Sequence, residues 1–204
     1  ETVNVADTNK DNLVRMMVGR DVGDMYSIEH FEPGETVLEV SGLTRKGVYE
    51  GISFEVRRGE ILGMFGLVGS GRTEIMRGVF GADPYDSGGV KVLGKKAHNK
   101  SPKQGIDSGV ALLPEDRKTQ GLSMGLSIEV NTNLASYSKI SKAGVINVNR
   151  ERERAEYYKE QIRIKTPSIK QKVQNLSGGN QQKVVIAKWL CADSEIFIFD
   201  ECTV

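Results

Sequence analysis

Apolar residues fall in two periods along this chain. From Thr36 the pattern is of short strands. VLEVSGL (37–43) and ISFEV (52–56) alternate or run apolar and are rich in β-branched residues. Arg57, Arg58 and Gly59 form a turn, and ILGMF (61–65) then reads as a further strand. GGVKVLGKK (88–96) predicts a strand and a turn, and VALLPEDRK (110–118) a strand followed by a loop. IFIF (196–199) is apolar at every position, as a parallel strand covered on both faces requires. Helical spacing takes over in NVNRERERAEYYKEQIRIK (147–165). Asn147 or Asn149 caps this helix, Ala155, Tyr158 and Ile162 form its inner stripe, and Thr166-Pro167 stops it. Before Thr36, Leu13, Met16, Met17 and Val18 mark a short amphipathic helix, and Pro33-Gly34 closes a tail and linker over residues 1–34. The basic run 95–104 reads as a solvated loop.

The chain has 204 residues, enough for one domain with a sizeable core, or one domain and a piece of another. A formal net charge of +1 gives no strong electrostatic pull toward nucleic acid. Hydrophobic content of 38% and charged content of 27% suit a globular chain rather than a disordered one. Cys191 and Cys202 lack metal-ligand spacing and read as reduced thiols, and His30 and His98 stand alone. No apolar run reaches the roughly 18 residues a bilayer span needs, and the N-terminus lacks the features of a signal peptide. A membrane role is therefore expected to come through a partner. No internal repeat, heptad array or low-complexity tract is present.

Three segments carry candidate chemistry. Gly66-Leu67-Val68-Gly69-Ser70-Gly71-Arg72-Thr73 fits the phosphate-loop template G-x-x-x-x-G-K-[ST], except that arginine replaces lysine. Gly66, Gly69 and Gly71 allow the positive φ angles that turn successive N–H groups toward an anion. In LSGGNQQKV (176–184), Ser177 fits a helix N-cap, and the two glycines leave backbone N–H groups open. Alone, this run also suits an ordinary capped helix. IFIFDE (196–201) is a strand ending in two acids, which on its own equally suits the start of a helix.

These three segments, in this order, resemble the ATP-binding cassette of ABC transporters. Asn180-Gln181-Gln182-Lys183 is similar to the monosaccharide-importer branch. The resemblance spans about residues 8–204. It implies an α/β P-loop NTPase with a mixed sheet core and an α-helical subdomain, incomplete at its C-terminus. In that branch two cassettes share one polypeptide, and LVRMMVGRDV (13–22) resembles the end of the first, although a plain surface helix also fits it. The implied organisation is a first-cassette tail over 1–34 and a second cassette over 35–204. Within the second, 35–105 is the sheet core, 106–190 the Q-loop and helical subdomain, and 191–204 the acidic strand. The missing coiled coils set the chain apart from chromosome-maintenance ATPases.

The resemblance also implies roles. Residues Gly66 to Thr73, with Glu74, would hold the ATP phosphates, and Thr73 and Asp200 would hold Mg²⁺. Glu201 would be the general base. PEDRKTQGL (114–122), otherwise a charged surface turn, resembles the Q-loop, with Glu115 where other cassettes have a metal-touching glutamine. Leu176, Ser177, Gly178, Gly179, Asn180 and Gln181 form the signature motif, which serves the ATP held by the other cassette.

Several residues depart from the family pattern. Arg72 is a planar fork where lysine is a point charge. Glu74 places a carboxylate where serine or threonine is usual, and Cys202 replaces a proline before Thr203. These changes point to a site that binds ATP weakly or hydrolyses it poorly. The adenine would meet Tyr49, or Arg45 or Lys46, although Tyr49 also suits a place in the sheet. Strands and a switch histidine expected after Val204 are missing, so unpaired edges are expected to favour self-association. The implied partners are the first cassette, membrane permease subunits and, indirectly, a sugar-binding protein, at the cytoplasmic face of the membrane. Two other readings are a non-hydrolytic regulatory half, and a soluble cassette acting on ribosomes or DNA repair, which the PEDRK loop and near-neutral charge oppose.

Overall fold

The computed structural model describes residues 2–5, 8–10, 12, 13, 16, 32–97 and 99–201. Lys10, Asn12, Leu13 and Met16 are helical, with Asn9 Oδ1 accepting from the N–H of Asn12 at 2.8 Å. Met17, Val18, His30, His98, Cys202 and Thr203 lie outside the described residues.

Strand β1 (Thr36–Arg45) pairs antiparallel with β2 (Tyr49–Arg57) on one side and β3 (Ser87–Val92) on the other, and β4 (Lys95–Ala97) completes the order β2-β1-β3-β4. The alternation read from the sequence places Leu38, Val40, Val90 and Val92 in the core. Helix α1 (Arg72–Phe80) buries Ile75, Val79 and Phe80. The basic run is not one loop. Lys95–Ala97 adds a strand edge, and buried Asn99 donates to the carbonyl of Val79 at 2.8 Å. Ser101 then caps α2 (Pro102–Asp107).

A second sheet is the parallel pair β5 (Val110–Leu113) and β8 (Ile196–Phe199), with Val110 opposite Ile196 and Leu113 opposite Phe199. All four residues of β5 are buried. Between these strands lie the helices α3 (Ile128–Asn133), α4 (Tyr137–Ile140), α5 (Val148–Gln161) and α6 (Gly178–Cys191), with a small hairpin of β6 (Ser141–Lys142) and β7 (Val145–Ile146). Helices α3 and α5 pack on α6. Phe80 of α1 meets Trp189 of α6 edge to face, at 5.7 Å between centroids. Cys191 is buried and free.

Two expectations change. Ile61–Phe65 is not a strand: Phe65 is 100% and Ile61 92% exposed. An apolar run becomes a strand only where a ladder partner lies alongside, and none does among the described residues. A groove of about 730 Å³ separates this segment from β8, lined by Leu38, Val56, Leu62, Met64, Ile196 and Ile198. Helix α5 starts as expected, with Asn147 Oδ1 accepting from the N–H of Arg150 at 3.1 Å. It ends at Gln161, before Thr166-Pro167, and Ile162 is its C-cap. The stop joins a local turn to tertiary contacts. Arg163 takes φ 53°, its carbonyl accepts from Lys183 Nζ at 2.8 Å, and Asn180 Oδ1 accepts from the N–H of Lys165 at 2.8 Å. Ala155 is buried, and Tyr158 and Ile162 still pack on the core.

Lys188 of α6 is 6% exposed. Its Nζ donates to the carbonyl of Gly121 at 2.8 Å and lies 4.5 Å from the Trp189 ring centroid. Burial pulls its pKa down from 10.5 to about 8. Between these two values the unfolded chain binds the extra proton, so rising pH favours the folded state. Chemical unfolding of the chain and of Lys188→Met across pH 7–10.5 should show the unsubstituted chain gaining stability relative to the variant above about pH 8. The gain is limited to roughly 3 kcal/mol. A constant difference would show that burial does not lower the Lys188 pKa in the folded chain.

Candidate nucleotide site

The 66–71 loop has the local chemistry its glycines predict, with one change. Gly69 and Gly71 take φ of 81° and 86°, which side-chain-bearing residues rarely adopt. Gly66 is not among the positive-φ glycines. A Cβ there would sit 2.6 Å from Ser70 Oγ, so a side chain would require the Ser70 hydroxyl to turn away. Leu67 and Val68 form the exposed tip, closed by the N–H of Ser70 donating to the carbonyl of Leu67 at 3.0 Å. Gly71 is the N-cap of α1, so this loop feeds straight into a helix N-terminus.

The acidic end of β8 meets this loop. The N–H of Asp200 donates to the carbonyl of Leu113 at 3.0 Å, which extends the β5–β8 ladder by one bond. This places Asp200 Oδ1 to accept from Thr73 Oγ1 at 3.0 Å. Glu201 turns out at φ 48°, and its Oε1 pairs with Arg72 Nη2 at 2.9 Å. Arg72 and Glu201 side chains are 29% and 52% exposed, so this ion pair is worth little to stability, about 0–1 kcal/mol. Its consequence is for charge: the guanidinium that replaces the lysine is already engaged by a carboxylate.

The structure does not bring the other predicted residues to this cluster. Glu115 is exposed beyond β5 and makes no hydrogen bond or ion pair among the described residues. Glu74 lies in the first turn of α1 beside Thr73, and with Thr73, Arg77, Asp83 and Trp189 it lines a cavity of about 550 Å³ that borders the cluster without a direct bond to it. Tyr49 is buried, with its hydroxyl against Gly78, so it packs in the core rather than offering a stacking face. Arg45 pairs with Asp83 at 3.1 Å. Asp83 also pairs with Arg77 at 2.8 Å, and Arg77 foremost holds its carboxyl below the usual carboxylate range.

The Leu176–Gln181 segment forms a second cluster at the N-terminus of α6. Ser177 occupies the N-cap position, but its hydroxyl accepts from Asn180 Nδ2 at 3.0 Å rather than from a backbone N–H. The first-turn N–H groups of Gly178 and Gly179 have no intrahelical acceptor. Leu176 is buried, and Gln181 Nε2 donates to the carbonyls of Val173 and Leu176 at 3.3 and 3.2 Å. Two contacts here were not legible in the sequence. One is the Asn180–Lys165 clamp, and the other is Arg117, whose guanidinium lies against Gly178.

This geometry agrees with comparisons to known proteins. The profile of the family described as ABC transporter matches residues 49–204. The chain belongs to the ABC transporter family. The ribose import ATP-binding protein RbsA 3 of Rubrobacter xylanophilus is 48% identical over 200 residues, covering 98% of this chain and 40% of that protein. Ribose import ATP-binding protein RbsA 1 of Streptomyces avermitilis is 46% identical, covering 97% and 38%. That of Geobacillus kaustophilus is 44% identical, covering 99% and 41%. The chain thus spans about two fifths of the length of these relatives. Among solved structures, a dimeric ATP-binding cassette in a post-hydrolysis state with ADP and phosphate superposes with a TM-score of 0.67 at 20% identity, covering 81% of this chain and 74% of that one. The ADP form of another ABC transporter cassette gives 0.62 at 19% identity, covering 79% and 67%. The fold is that of the ABC ATPase cassette.

The Thr73–Asp200 bond joins the loop to the strand end, and a hydrogen bond to a carboxylate is worth about 1.5–3 kcal/mol. Thr73→Val should therefore lower the unfolding free energy by about 1–2 kcal/mol in urea titration. No change would mean that water replaces the bond at no cost.

Proposed function

We propose that the chain is the ATP-binding component of a monosaccharide ABC importer, and more finely the second of two cassettes in one polypeptide. The observation that carries this is the convergence of the Gly66–Thr73 loop with Asp200 and Glu201 at the end of β8. The two-fifths coverage of the ribose-import relatives is compatible with one cassette of a longer polypeptide, and the second-cassette reading rests on the Gly66–Thr73 loop with Arg72 and Glu74. On this reading ATP phosphates lie on the N–H groups of the loop and on Arg72. The groove between β8 and Ile61–Phe65 supports the expectation that further strands complete the sheet. The partners are then a first cassette, membrane permease subunits and, through them, a sugar-binding protein. The place of action is the cytoplasmic face of the membrane. No helix among the described residues is long and apolar enough to cross a membrane.

The residues fit Mg²⁺. Thr73 Oγ1 and Asp200 Oδ1 are a hydroxyl and a carboxylate oxygen 3.0 Å apart, the hard donors this ion takes. Among the described residues no cluster of three acidic, histidine or cysteine side chains forms a full protein cage. Mg²⁺ does not need one, because substrate phosphates and water complete its shell. Bound there, the ion would offset phosphate charge.

A second reading is favoured by one contact. Glu201, the residue placed to take a proton from the attacking water, is paired with Arg72 at 2.9 Å. The guanidinium already occupies one of the two oxygens that would face that water. This supports a half that binds nucleotide without turning it over, while its Ser177–Gln181 segment completes the site of the first cassette.

Both readings divide labour between the ends of the chain. In the full-length ATPase, Ser177→Ala or Gly178→Asp should reduce ATP turnover by two orders of magnitude or more, the scale of a lost phosphate-stabilising donor. Arg72→Ala should change it by about twofold or less. Steady-state phosphate release checks this, and equal losses from the two ends would contradict the division.

A further inference from the structure

The loop after β5 is built to hold one side chain in place. Asp116 caps a single π-helical turn, Arg117–Gly121, and accepts from the N–H of Lys118 at 2.9 Å and the hydroxyl of Thr119 at 2.7 Å. The far end of the turn sits on α6: Gly121 packs against Val185, and its carbonyl accepts from buried Lys188. Fixed at both ends, the turn lays the Arg117 guanidinium across the first residue of α6. A Cβ on Gly178 would lie 2.7 Å from Arg117 Nη2, so a side chain there would push the guanidinium off this position.

The electrostatics of the arrangement are unfavourable as it stands. Arg117 Nε is buried without a hydrogen-bond partner. The side chain as a whole is only partly buried. It also lies at the N-terminus of α6, where the helix dipole disfavours a cation. An anion at the Ser177–Gly179 turn reverses the sign of both effects, because the dipole and the guanidinium then act on it together.

We propose that Arg117 is a positioning residue for the Ser177–Gly179 turn, holding it open and biasing it toward the nucleotide phosphate presented by a facing cassette. The proposal rests on the reading that this turn meets such a phosphate. Arg117 touches Gly178, so it acts through the turn. Gly178 and Arg117 act as one unit, because a side chain at residue 178 would displace the guanidinium from the turn.

The test is steady-state ATP turnover by the full-length importer ATPase, with kcat and KM for Mg-ATP measured separately. Arg117→Ala should raise KM about fivefold, as loss of one charge at a helix N-terminus would, with kcat within about twofold. Arg117→Lys should recover most of the affinity because the charge stays, whereas Arg117→Met, similar in bulk, should not. Gly178→Ala should raise KM by displacing the guanidinium, and the double variant Arg117→Ala/Gly178→Ala should be no worse than Arg117→Ala alone. Equal KM values for the Lys and Met variants, or additive losses in the double variant, would overturn the proposal. Ser177→Ala separates the two levels. If it leaves turnover intact, the facing-cassette reading fails. If it abolishes turnover while Arg117→Ala leaves KM unchanged, the Arg117 assignment alone fails.

Discussion

The parallel pairing of β5 with β8 is the constraint on which the site depends. Four consecutive residue pairs, Val110–Ile196 to Leu113–Phe199, set the register. One more bond, from the N–H of Asp200 to the carbonyl of Leu113, carries it past the strand end. The strands are short, but β5 is wholly buried and β8 buries alternate residues, so a slip by one position would expose Ile196 and Ile198. This register delivers Asp200 to Thr73 and Glu201 to Arg72. The phosphate loop and the acidic end are far apart along the chain, and nothing but this ladder and the packing of α1 beneath it brings them together.

Two arginines illustrate how differently charge is used at the two ends. Arg72 is satisfied by Glu201 and is unavailable to an incoming phosphate until that ion pair opens. Arg117 has a buried Nε without a hydrogen-bond partner and rests against a helix N-terminus. The first arrangement resists an anion at this chain's own loop, and the second favours one at the Ser177–Gly179 turn. That asymmetry is the physical content of the proposed division between a weak site and a turn that serves another cassette.

Much of this was legible in the sequence, for reasons that can be named. Gly69 and Gly71 could be read because positive φ restricts residue choice, and IFIF because an all-apolar run suits a parallel strand. Asn147 could be read as a cap because capping is local. What could not be read was set by distant residues. The end of α5 joins a local turn at Arg163, with the N–H of Ile164 donating to the carbonyl of Lys159 at 2.9 Å, to contacts just beyond it from Asn180 and Lys183 of another helix. ILGMF has the composition of a strand but no ladder partner among the described residues. The glycine pattern predicts positive φ at Gly66 too, but the structure shows none there, only a close approach of Ser70. The Arg117–Gly178 contact joins two motifs that were read separately, and no local pattern in either signals it.

On the proposed reading, Arg72 is the phosphate ligand of this loop and Glu201 competes with phosphate for it. Calorimetric titration of Mg-ATP into the chain and its Glu201→Gln variant tests this most directly, with Arg72→Ala and the double variant as references. An exposed ion pair of up to about 1 kcal/mol corresponds to a change of about fivefold. The account predicts that Glu201→Gln tightens Mg-ATP binding by about that factor, and that the gain disappears in the Arg72→Ala background. Unchanged affinity, or an equal gain with and without Arg72, would contradict it.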